Sequence, residues 1–462
     1  MRLSELLEGV GLGSEKFLVD PEIQRVVHDS RIAQKGDLFC CIPGLEYDGH
    51  DFVSDAVEAG ASAVVSERPL NIEIPLVRTE SARQSLAQLS SFHAGNPSRD
   101  LKIVGVTGTN GKTSVVHLLE QILSNSGHSV RSSGTLTGER TTPEAPELQN
   151  QFSTWHSQGI KNVAMEVSSH ALEQFRVDGT EFEAVAFTNL SRDHLDYHKS
   201  LEEYYKAKER LFSNNFSSKA VVVIGQEFGD RIAATALNNG LEVIGINPKE
   251  SLIQDKWRGH EIRIPFEADF MVLNTLVAAE LALVLGVGAA EIVREIEKLV
   301  PVPGRFEMIT KDFIPTVIID YAHTPEALEA TLMSARKLKG KGDLIVVFGC
   351  GGERDKGKRP LMGKVAEDGA DFCVVTSDNP REEPAMNIIE EILSGLETND
   401  FVVEANRKDA IELALRRANK NDVIVIAGKG HETTQEISGR LFDFNDREVA
   451  EGLISEIFRD ED

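Results

Sequence analysis

One ten-residue segment restricts the fold of this chain more than any other feature. It reads Val104-Gly105-Val106-Thr107-Gly108-Thr109-Asn110-Gly111-Lys112-Thr113, and it joins an apolar β-run at 101–106 to an amphipathic stretch at 114–125. A glycine-rich turn between a strand and a helix points backbone N–H groups at the helix N-terminus, where they bind phosphate. Lys112 would reach the terminal phosphates, and the Thr113 hydroxyl would face Mg²⁺. The segment therefore predicts a phosphate-binding loop in an α/β fold.

The loop is a variant of the common phosphate-binding pattern. That pattern has glycine five residues before Gly111, where this chain has Val106. The form T-G-T-N-G-K-T is narrower and is typical of one group of ATP-dependent ligases. The residues that we expect to contact ATP in this loop are Gly108, Thr109, Asn110, Gly111, Lys112, Thr113 and Ser114.

Length and composition predict three globular domains. At roughly 100–200 residues per domain, a chain of 462 residues divides into about three, and 41% apolar residues suffice for ordinary cores. Pro- and Gly-containing stretches at 96–98 and 301–304 are candidate linkers. We therefore predict domains at 1–98, 99–302 and 303–462.

The net charge of −25 argues against nucleic acid as a partner, because a general polyanion binder would be basic. No apolar run reaches the roughly 18 residues that a membrane span needs. The first residues lack the basic and then apolar layout of a signal peptide. Four cysteines without C-x-x-C spacing are typical of structural thiols in a reducing compartment. We expect a cytoplasmic protein, and we expect it to be a monomer.

The last third of the chain alternates apolar runs with amphipathic segments, which predicts a parallel, doubly wound sheet of the Rossmann type. Polar or glycine-rich residues follow four of the predicted strands, at 320–323, 349–351, 378–381 and 428–432. Ligands of such sheets bind beyond the carboxyl ends of the strands. These four segments should therefore form one rim.

Three residues near the predicted phosphate loop have two possible roles each. Glu166 ends a predicted strand and could hold Mg²⁺ or merely cap a turn. His194, in a turn after another strand, could bind a metal or a phosphate or be a structural histidine. Lys208 lies in a predicted helix beside Lys206, and no spacing rule separates the two.

Two segments of the last third also have alternative interpretations. The charged stretch 351–359 could bind an anion through its glycines and cations, or it could be a solvated loop. In Asp378-Asn379-Pro380-Arg381, the arginine could pair with a ligand carboxylate or simply extend from an Asn-Pro turn.

Taken together and in this order, these segments resemble the Mur ligase family over essentially the whole chain. The motifs that carry the resemblance are 107–113, 166–170, 188–198, 320–325, 349–360, 378–381 and 428–432. The resemblance implies a uridine-nucleotide domain, a central ATP-binding domain and a C-terminal domain that closes over an amino acid. It implies ATP and Mg²⁺ as cofactors. The implied substrates are UDP-N-acetylmuramoyl-L-alanyl-D-glutamate and meso-diaminopimelate, joined through an acyl phosphate.

The resemblance also assigns site residues by position. Lys112, His194 and Lys208 would be catalytic, and metal would be held by Thr113, Glu166, His194 and Lys208 as a carbamate. The remaining ATP contacts would be Asn274, Arg305 and Asp320. The UDP-linked substrate would meet Ser30, Thr141, Thr142, Ser168, Gln174 and Arg176. Diaminopimelate would meet Arg354, Asp378, Asn379, Pro380, Arg381, Gly428 and Glu432.

Three other functions compete with this one. A sister ligase would add lysine, but its pocket would have little use for Arg381. A folylpolyglutamate-type ligase shares the phosphate loop but would not need the N-terminal nucleotide domain. A non-catalytic nucleotide sensor would not need Lys112, Glu166, His194 and Lys208 together.

Overall fold

The computed structural model describes residues 1–13, 17–44, 47–138, 140–251, 256–398 and 400–458. Its first unit is a parallel four-stranded sheet in the order β1-β2-β3-β4, with helices on both faces. Leucines of the first and third helices pack on one face, and the second helix covers the other. The elements are α1 (Leu3–Gly9), β1 (Arg25–Val27), β2 (Asp37–Cys40), α2 (Val53–Glu58), β3 (Ala63–Ser66), β4 (Leu76–Arg78) and α3 (Ala82–His93).

The central unit is built on a parallel six-stranded sheet in the order β10-β9-β8-β5-β7-β6. Its strands are β5 (Lys102–Thr107), β6 (Val130–Ser133), β7 (Asn162–Glu166), β8 (Ala184–Phe187), β9 (Lys219–Val223) and β10 (Glu242–Ile246), followed by the hairpin β11 (Lys256–Trp257) and β12 (His260–Glu261). Its helices are α4 (Lys112–Asn125), α5 (Ala145–Ser157), α6 (Ser169–Glu173), α7 (Leu195–His198), α8 (Leu201–Glu209), α9 (Glu227–Asn238), α10 (Pro248–Ser251), α11 (Asp269–Val284) and α12 (Ala289–Ile296). Strand β5 lies between β7 and β8, so the ends of these three strands meet.

The C-terminal unit has a six-stranded sheet in the order β13-β14-β18-β15-β16-β17. Its strands are β13 (Glu307–Ile309), β14 (Thr316–Asp320), β15 (Leu344–Phe348), β16 (Phe372–Val375), β17 (Phe401–Val403) and β18 (Val423–Ala427), followed by the hairpin β19 (Thr434–Ile437) and β20 (Arg440–Asp443). Its helices are α13 (Pro325–Leu338), α14 (Lys358–Gly369), α15 (Ala385–Leu393), α16 (Arg407–Arg417) and α17 (Asp446–Ile457).

The predicted α/β class with three domains is confirmed, with one correction. The C-terminal sheet is mixed rather than wholly parallel, because edge strand β13 runs antiparallel to β14. β13 is only three residues long and begins with Glu307, so it lacks the apolar run that identified the other strands. The three large sheets lie within 1–98, 99–302 and 303–462, but the boundaries themselves stay predictions.

Two sequence-level expectations can be compared directly with the described residues. No helix described in the structure is long and apolar enough to cross a membrane. Cys40, Cys41, Cys350 and Cys373 are all buried free thiols, and burial raises the pKa of each above its ordinary value. These thiols are therefore packed as small core residues rather than poised for reaction.

A buried ion pair fixes the carboxyl ends of two strands in the C-terminal unit. Arg407, at the start of α16, donates two hydrogen bonds of 2.7 Å to the Asp446 carboxylate. The same guanidinium donates to the carbonyls of Ser377 and Ala427, at 3.2 and 3.0 Å. These carbonyls directly precede the polar segments 378–381 and 428–432, so Arg407 fixes the starts of the two segments relative to each other.

We expect Asp446→Asn to lower the free energy of unfolding by about 3–5 kcal/mol, because it leaves a buried guanidinium without its charge partner. Both side chains of the pair are fully buried. Urea denaturation would measure the change. Glu451→Gln is the control, since it removes the half-exposed Arg447–Glu451 pair and should cost at most about 1 kcal/mol. Equal effects of the two substitutions would contradict this assignment.

Candidate active site

The predicted phosphate loop lies at the end of β5 and is tied to the end of β8. The N–H groups of Thr109 and Asn110 donate to the carbonyl and the side-chain oxygen of Asn189, both at 2.9 Å. The Thr188 hydroxyl donates to the Asn110 carbonyl at 2.6 Å. Gly111 has φ +88°, and a Cβ there would come 2.6 Å from Asn274 Oδ1. Glycine is therefore required at 111, and Asn274 lies directly against the loop as predicted.

Two buried ammonium groups converge on one carbonyl of this loop. Lys112 Nζ donates to the carbonyls of Gly108 and Thr109, and Lys208 Nζ donates to the Gly108 carbonyl, all at 2.8 Å. Burial lowers the pKa of Lys112, and burial together with the neighbouring Lys112 charge lowers the pKa of Lys208 well below its ordinary value. Lys206 is exposed. Of the two lysines that the sequence could not separate, Lys208 is the one in the site.

The Glu166 carboxylate collects donors from two sides. Thr113 Oγ1 donates to it at 3.1 Å, and Thr135 donates through its N–H at 2.7 Å and through its hydroxyl at 3.3 Å. Arg305 Nη2 donates to Thr113 Oγ1 at 3.3 Å. Thr135 was not among the residues predicted from the sequence, because its link to Glu166 is a contact between positions far apart along the chain. Only the observation that a polar turn follows β6 could have suggested it.

This donor set fits a magnesium ion that comes with a nucleotide. Among the residues that the structure describes, no three His, Cys, Asp or Glu side chains form a ready metal cage. Mg²⁺ usually takes one or two carboxylates and completes its shell with phosphate oxygens and waters. The Thr113 hydroxyl and the buried Glu166 carboxylate, 3.1 Å apart, match that requirement.

His194 lies at the mouth of the same loop in a left-handed conformation, with φ +54°. Burial lowers its pKa to about 3, so the imidazole is neutral at physiological pH and can act as a metal ligand. Its Nε2 lies 3.4 Å from Asp193 Oδ2. The Asp193 carboxylate thus helps to orient the His194 ring.

The remaining predicted ATP contacts line a cavity of about 810 Å³ between the central and C-terminal units. The Arg305 guanidinium lies over the Tyr321 ring at 4.0 Å. Asp320 also borders the cavity, and burial raises its pKa. Its carboxylate accepts from the N–H groups of Phe306 and Ala322, at 2.6 and 2.8 Å. Asp320 thus fixes the backbone at Phe306, just before β13, and at Ala322, just after β14. Its contact with ATP stays a prediction.

Most residues predicted to hold the UDP-linked substrate form one network beside Glu166. Thr142 Oγ1 donates to the Glu166 carbonyl at 2.9 Å, and Arg176 donates to the Thr142 carbonyl at 2.9 Å. Arg176 also donates to Gln174 Oε1 at 2.7 Å and pairs with Glu144 at 2.7 Å. Two further predicted residues belong to this network. The Thr141 hydroxyl lies 3.2 Å from the Thr135 hydroxyl, and the Ser168 N–H donates to Thr142 Oγ1 at 3.1 Å.

Ser30 lies apart from this network, in the N-terminal unit, on a short turn at Ser30–Ile32. Burial lowers the pKa of the nearby His28, while the charges of Glu144 and Glu147 on and before α5 act in the opposite direction. The His28 side chain therefore lies within electrostatic range of Glu144 and Glu147. Glu144, which sequence reasoning missed, pairs with Arg176 of the network described above.

The predicted rim of the C-terminal unit is present. Asn379 Nδ2 donates to Glu432 Oε2 at 2.8 Å, and Asp378 packs against Gly428, where a Cβ would clash with the carboxylate. Arg381 Nη1 donates to the Gly352 carbonyl at 2.5 Å. Two further predicted residues lie at this rim: Pro380, whose carbonyl packs against Gly352, and the exposed Arg354, which flanks Gly351 with Arg381. Lys429, buried beneath the rim, was missed.

Arg192 and Asp193, two consecutive residues of opposite charge in the central unit, hold the C-terminal unit against the side that carries the phosphate loop. Arg192 donates to both oxygens of Asp355, at 3.0 and 3.2 Å. Asp193 lies 3.6 Å from Lys358 Nζ and 3.6 Å from His323 Nε2. Although burial raises the pKa of Asp193, His323 and Lys358 hold it well below the usual range. The carboxylate is therefore charged in the junction.

Comparison with known proteins assigns the family. Models for three Mur ligase domains match the chain: the Mur ligase family catalytic domain at 22–97, the Mur ligase middle domain at 106–282 and the Mur ligase glutamate ligase domain at 304–430. A relative from Aquifex aeolicus is 41% identical over 457 residues, which cover 94% of each chain. The chain belongs to the Mur ligase family.

Several related Mur ligases share the name of one particular ligase. The Aquifex aeolicus relative is named UDP-N-acetylmuramoyl-L-alanyl-D-glutamate--2,6-diaminopimelate ligase, and so is one from Halalkalibacterium halodurans, 39% identical over 95% of each chain. A solved structure with that ligase name covers 99% of each chain at 31% identity, with a TM-score of 0.71. The MurF ligase from Thermotoga maritima in complex with ADP, at 18% identity and a TM-score of 0.62 over 95% of this chain and 98% of its own, shares the fold.

We expect Lys208→Arg to lower kcat at least about 100-fold, the scale of losing one preorganised charge contact. Arginine stays charged, cannot become a carbamate and is too large for the buried site. Lys206→Arg is the matched control, since Lys206 lies on the exposed face of the same helix. Steady-state kinetics with ATP varied would measure both. Similar kcat values for the two variants would contradict the placement of Lys208.

Proposed function

We propose that this Mur ligase joins meso-diaminopimelate to UDP-N-acetylmuramoyl-L-alanyl-D-glutamate with conversion of ATP to ADP and phosphate. The observation that carries the proposal is the docking of two functional halves against each other. One half is the phosphate loop with Lys112 and Lys208, and the other is the rim with Arg381, Asn379 and Glu432. The names of the relatives support the same substrates.

The first step transfers the γ-phosphoryl group of ATP to the D-glutamate carboxylate. Both reactants are anions, so cations must reduce their repulsion. Lys112, which donates to two loop carbonyls in this structure, is close enough to redirect its ammonium toward a bound phosphate. Mg²⁺ held by Thr113 and Glu166, with a second ion supported by His194, would supply further charge neutralisation.

Lys208 needs its low pKa for the role proposed here. A neutral amine can add to the carbon of CO₂ and release a proton, which gives a carbamate whose single negative charge is shared by two oxygens. That change converts a cation beside Lys112 into an oxygen ligand of the type that hard cations prefer. Burial of Lys208 and the adjacent Lys112 charge both favour the neutral amine.

In the second step, the amine of diaminopimelate attacks the acyl carbon, and the carbon–oxygen bond to phosphate breaks. The tetrahedral oxyanion needs the same cationic surroundings as the first step. Water must be kept out, because it would hydrolyse the acyl phosphate. The Arg192–Asp355 and Asp193–Lys358 pairs support a closed cavity during this step.

The resemblance to the Mur ligase family supplies the position of each substrate, and the networks described above support these assignments. We assign the muramoyl dipeptide to Thr141, Thr142, Ser168, Gln174 and Arg176, the uridine diphosphate to Ser30, and the adenosine to Asn274, Arg305 and Asp320. The domain boundaries at 98 and 302, the monomeric state and the cytoplasmic location remain predictions.

Diaminopimelate differs from lysine by a second carboxylate at its distal end. An arginine pairs with a carboxylate through two parallel hydrogen bonds, whereas the distal ammonium needs an acceptor. Arg381 and Arg354 flank Gly351, and Glu432 lies at the same rim. We therefore assign the distal carboxylate to Arg381 and Arg354 and the distal ammonium to Glu432.

We expect phosphate release to require ATP, the UDP-linked dipeptide and an amino acid together. With all three present, meso-diaminopimelate should support a rate at least about tenfold above that with L-lysine, which lacks the carboxylate that pairs with Arg381, a difference of about 1.4 kcal/mol. A coupled phosphate assay with a panel of amino acids would measure this. Faster turnover with L-lysine would identify a sister ligase, and release without an amino acid would overturn the ligase function.

We expect Arg381→Ala to lower kcat/KM for meso-diaminopimelate at least about tenfold, or about 1.4 kcal/mol. The expected loss is in the amino-acid step, so the KM for ATP should change little. Arg416→Ala is the control, since it removes an exposed arginine from the same unit. Unchanged kinetics in the Arg381 variant would refute its assignment.

A further inference from the structure

Lys429 is a wholly buried lysine that neither the phosphate loop nor the assigned diaminopimelate contacts use. Its ammonium donates to Glu432 Oε2 at 2.8 Å, to Asn379 Oδ1 at 3.1 Å and to the Thr434 carbonyl at 2.6 Å. An ammonium has three donors, so all of them are used. The geometry is that of a fixed support beneath the rim rather than of a mobile ligand contact.

Lys429 determines which way the Asn379 amide faces. The Asn379 oxygen accepts from Lys429 Nζ and from the Glu436 N–H at 3.0 Å. Two donors on that oxygen force the amide nitrogen to the other side, where it donates to Glu432 Oε2 at 2.8 Å. Glu432 Oε2 therefore has two donors already, and Oε1 is the oxygen left for a ligand ammonium.

Lys429 also sets the charge of the rim. The Arg381 guanidinium lies 3.3 Å from Glu436, and Lys429 compensates Glu432 in the same way. A nearly balanced rim suits a head group that carries both an ammonium and a carboxylate. Without the Lys429 charge, Glu432 would be uncompensated, which favours a bare ammonium and repels a carboxylate.

We propose that Lys429 is a positioning residue that fixes Asn379 and Glu432 and balances the rim for a zwitterionic distal head group. The inference rests on the proposed function, since it explains how that rim would distinguish diaminopimelate from lysine. Lys429 acts through Glu432 and Asn379 and does not touch the substrate.

Two substitutions change the rim by the same charge in different ways. Lys429→Met removes one positive charge, and Asn379→Asp adds one negative charge while keeping the shape and the acceptor for Lys429. For both, we expect KM for meso-diaminopimelate to rise at least about tenfold, as for a truncated buried charge pair. We expect the ratio of kcat/KM for meso-diaminopimelate to that for L-lysine to fall, with KM for ATP within about twofold of the unmodified value.

Lys420→Met and Asn421→Asp are matched controls, because these neighbouring residues are exposed in the same unit. If Lys429→Met does not fold, Lys429→Gln takes its place, since it removes the charge and keeps a side chain that can donate a hydrogen bond. Wild-type kinetics in the Lys429 variant that folds would overturn the inference. Equal proportional losses with diaminopimelate and lysine would also overturn it, because they indicate a purely structural role. An unmodified protein that does not use diaminopimelate would overturn the proposed function and this inference together.

Discussion

The convergence of two buried ammonium groups on the Gly108 carbonyl is the interaction on which the rest of the site depends. The Gly108 and Thr109 carbonyls are neutral acceptors and cannot compensate an ammonium charge as an anion would, so the loop is suited to an anion. The same crowding favours the neutral form of Lys208. The loop cannot relax away from this arrangement, because Asn189 holds it from one side and Asn274 packs against Gly111 from the other.

The rim that we assign to the amino acid depends on buried cations that are paired with carboxylates. Arg407 and Asp446 form a hydrogen-bonded pair beneath the rim. Through the carbonyls that Arg407 binds, the pair fixes the carboxyl ends of β16 and β18 relative to each other. Lys429 then fixes the side chains that the two strand ends carry. Lysine is thus used differently in the two halves: the loop lysines meet only neutral carbonyls and are suited to a phosphate, whereas Lys429 is paired with a carboxylate and supports the rim.

Local sequence patterns predicted the elements that depend on near neighbours. Helix α13 begins at Pro325 because Thr324 caps it, and both signals stand in the sequence. The hairpin β19–β20 was missed although Ser438-Gly439 marks its turn. The partners of the site could not be predicted in this way. Thr135, Glu144 and Lys429 act through contacts with Glu166, Arg176 and Asn379, which are 31 to 50 residues away along the chain. Resemblance to the Mur ligase family supplied the other assignments.

The junction between the two halves combines a fixed order of charges with a shared apolar core, in which Phe270 of α11 packs against Phe306 of the C-terminal unit. Arg192 and Asp193 are adjacent, and they meet Asp355 and Lys358, which lie three residues apart at the start of α14. A shift of the docking by one position would bring like charges together, so the pairs specify a single alignment. The Asp193 and Lys358 side chains are buried, so breaking their pair would leave an uncompensated charge. The junction therefore aligns the two halves for amide formation.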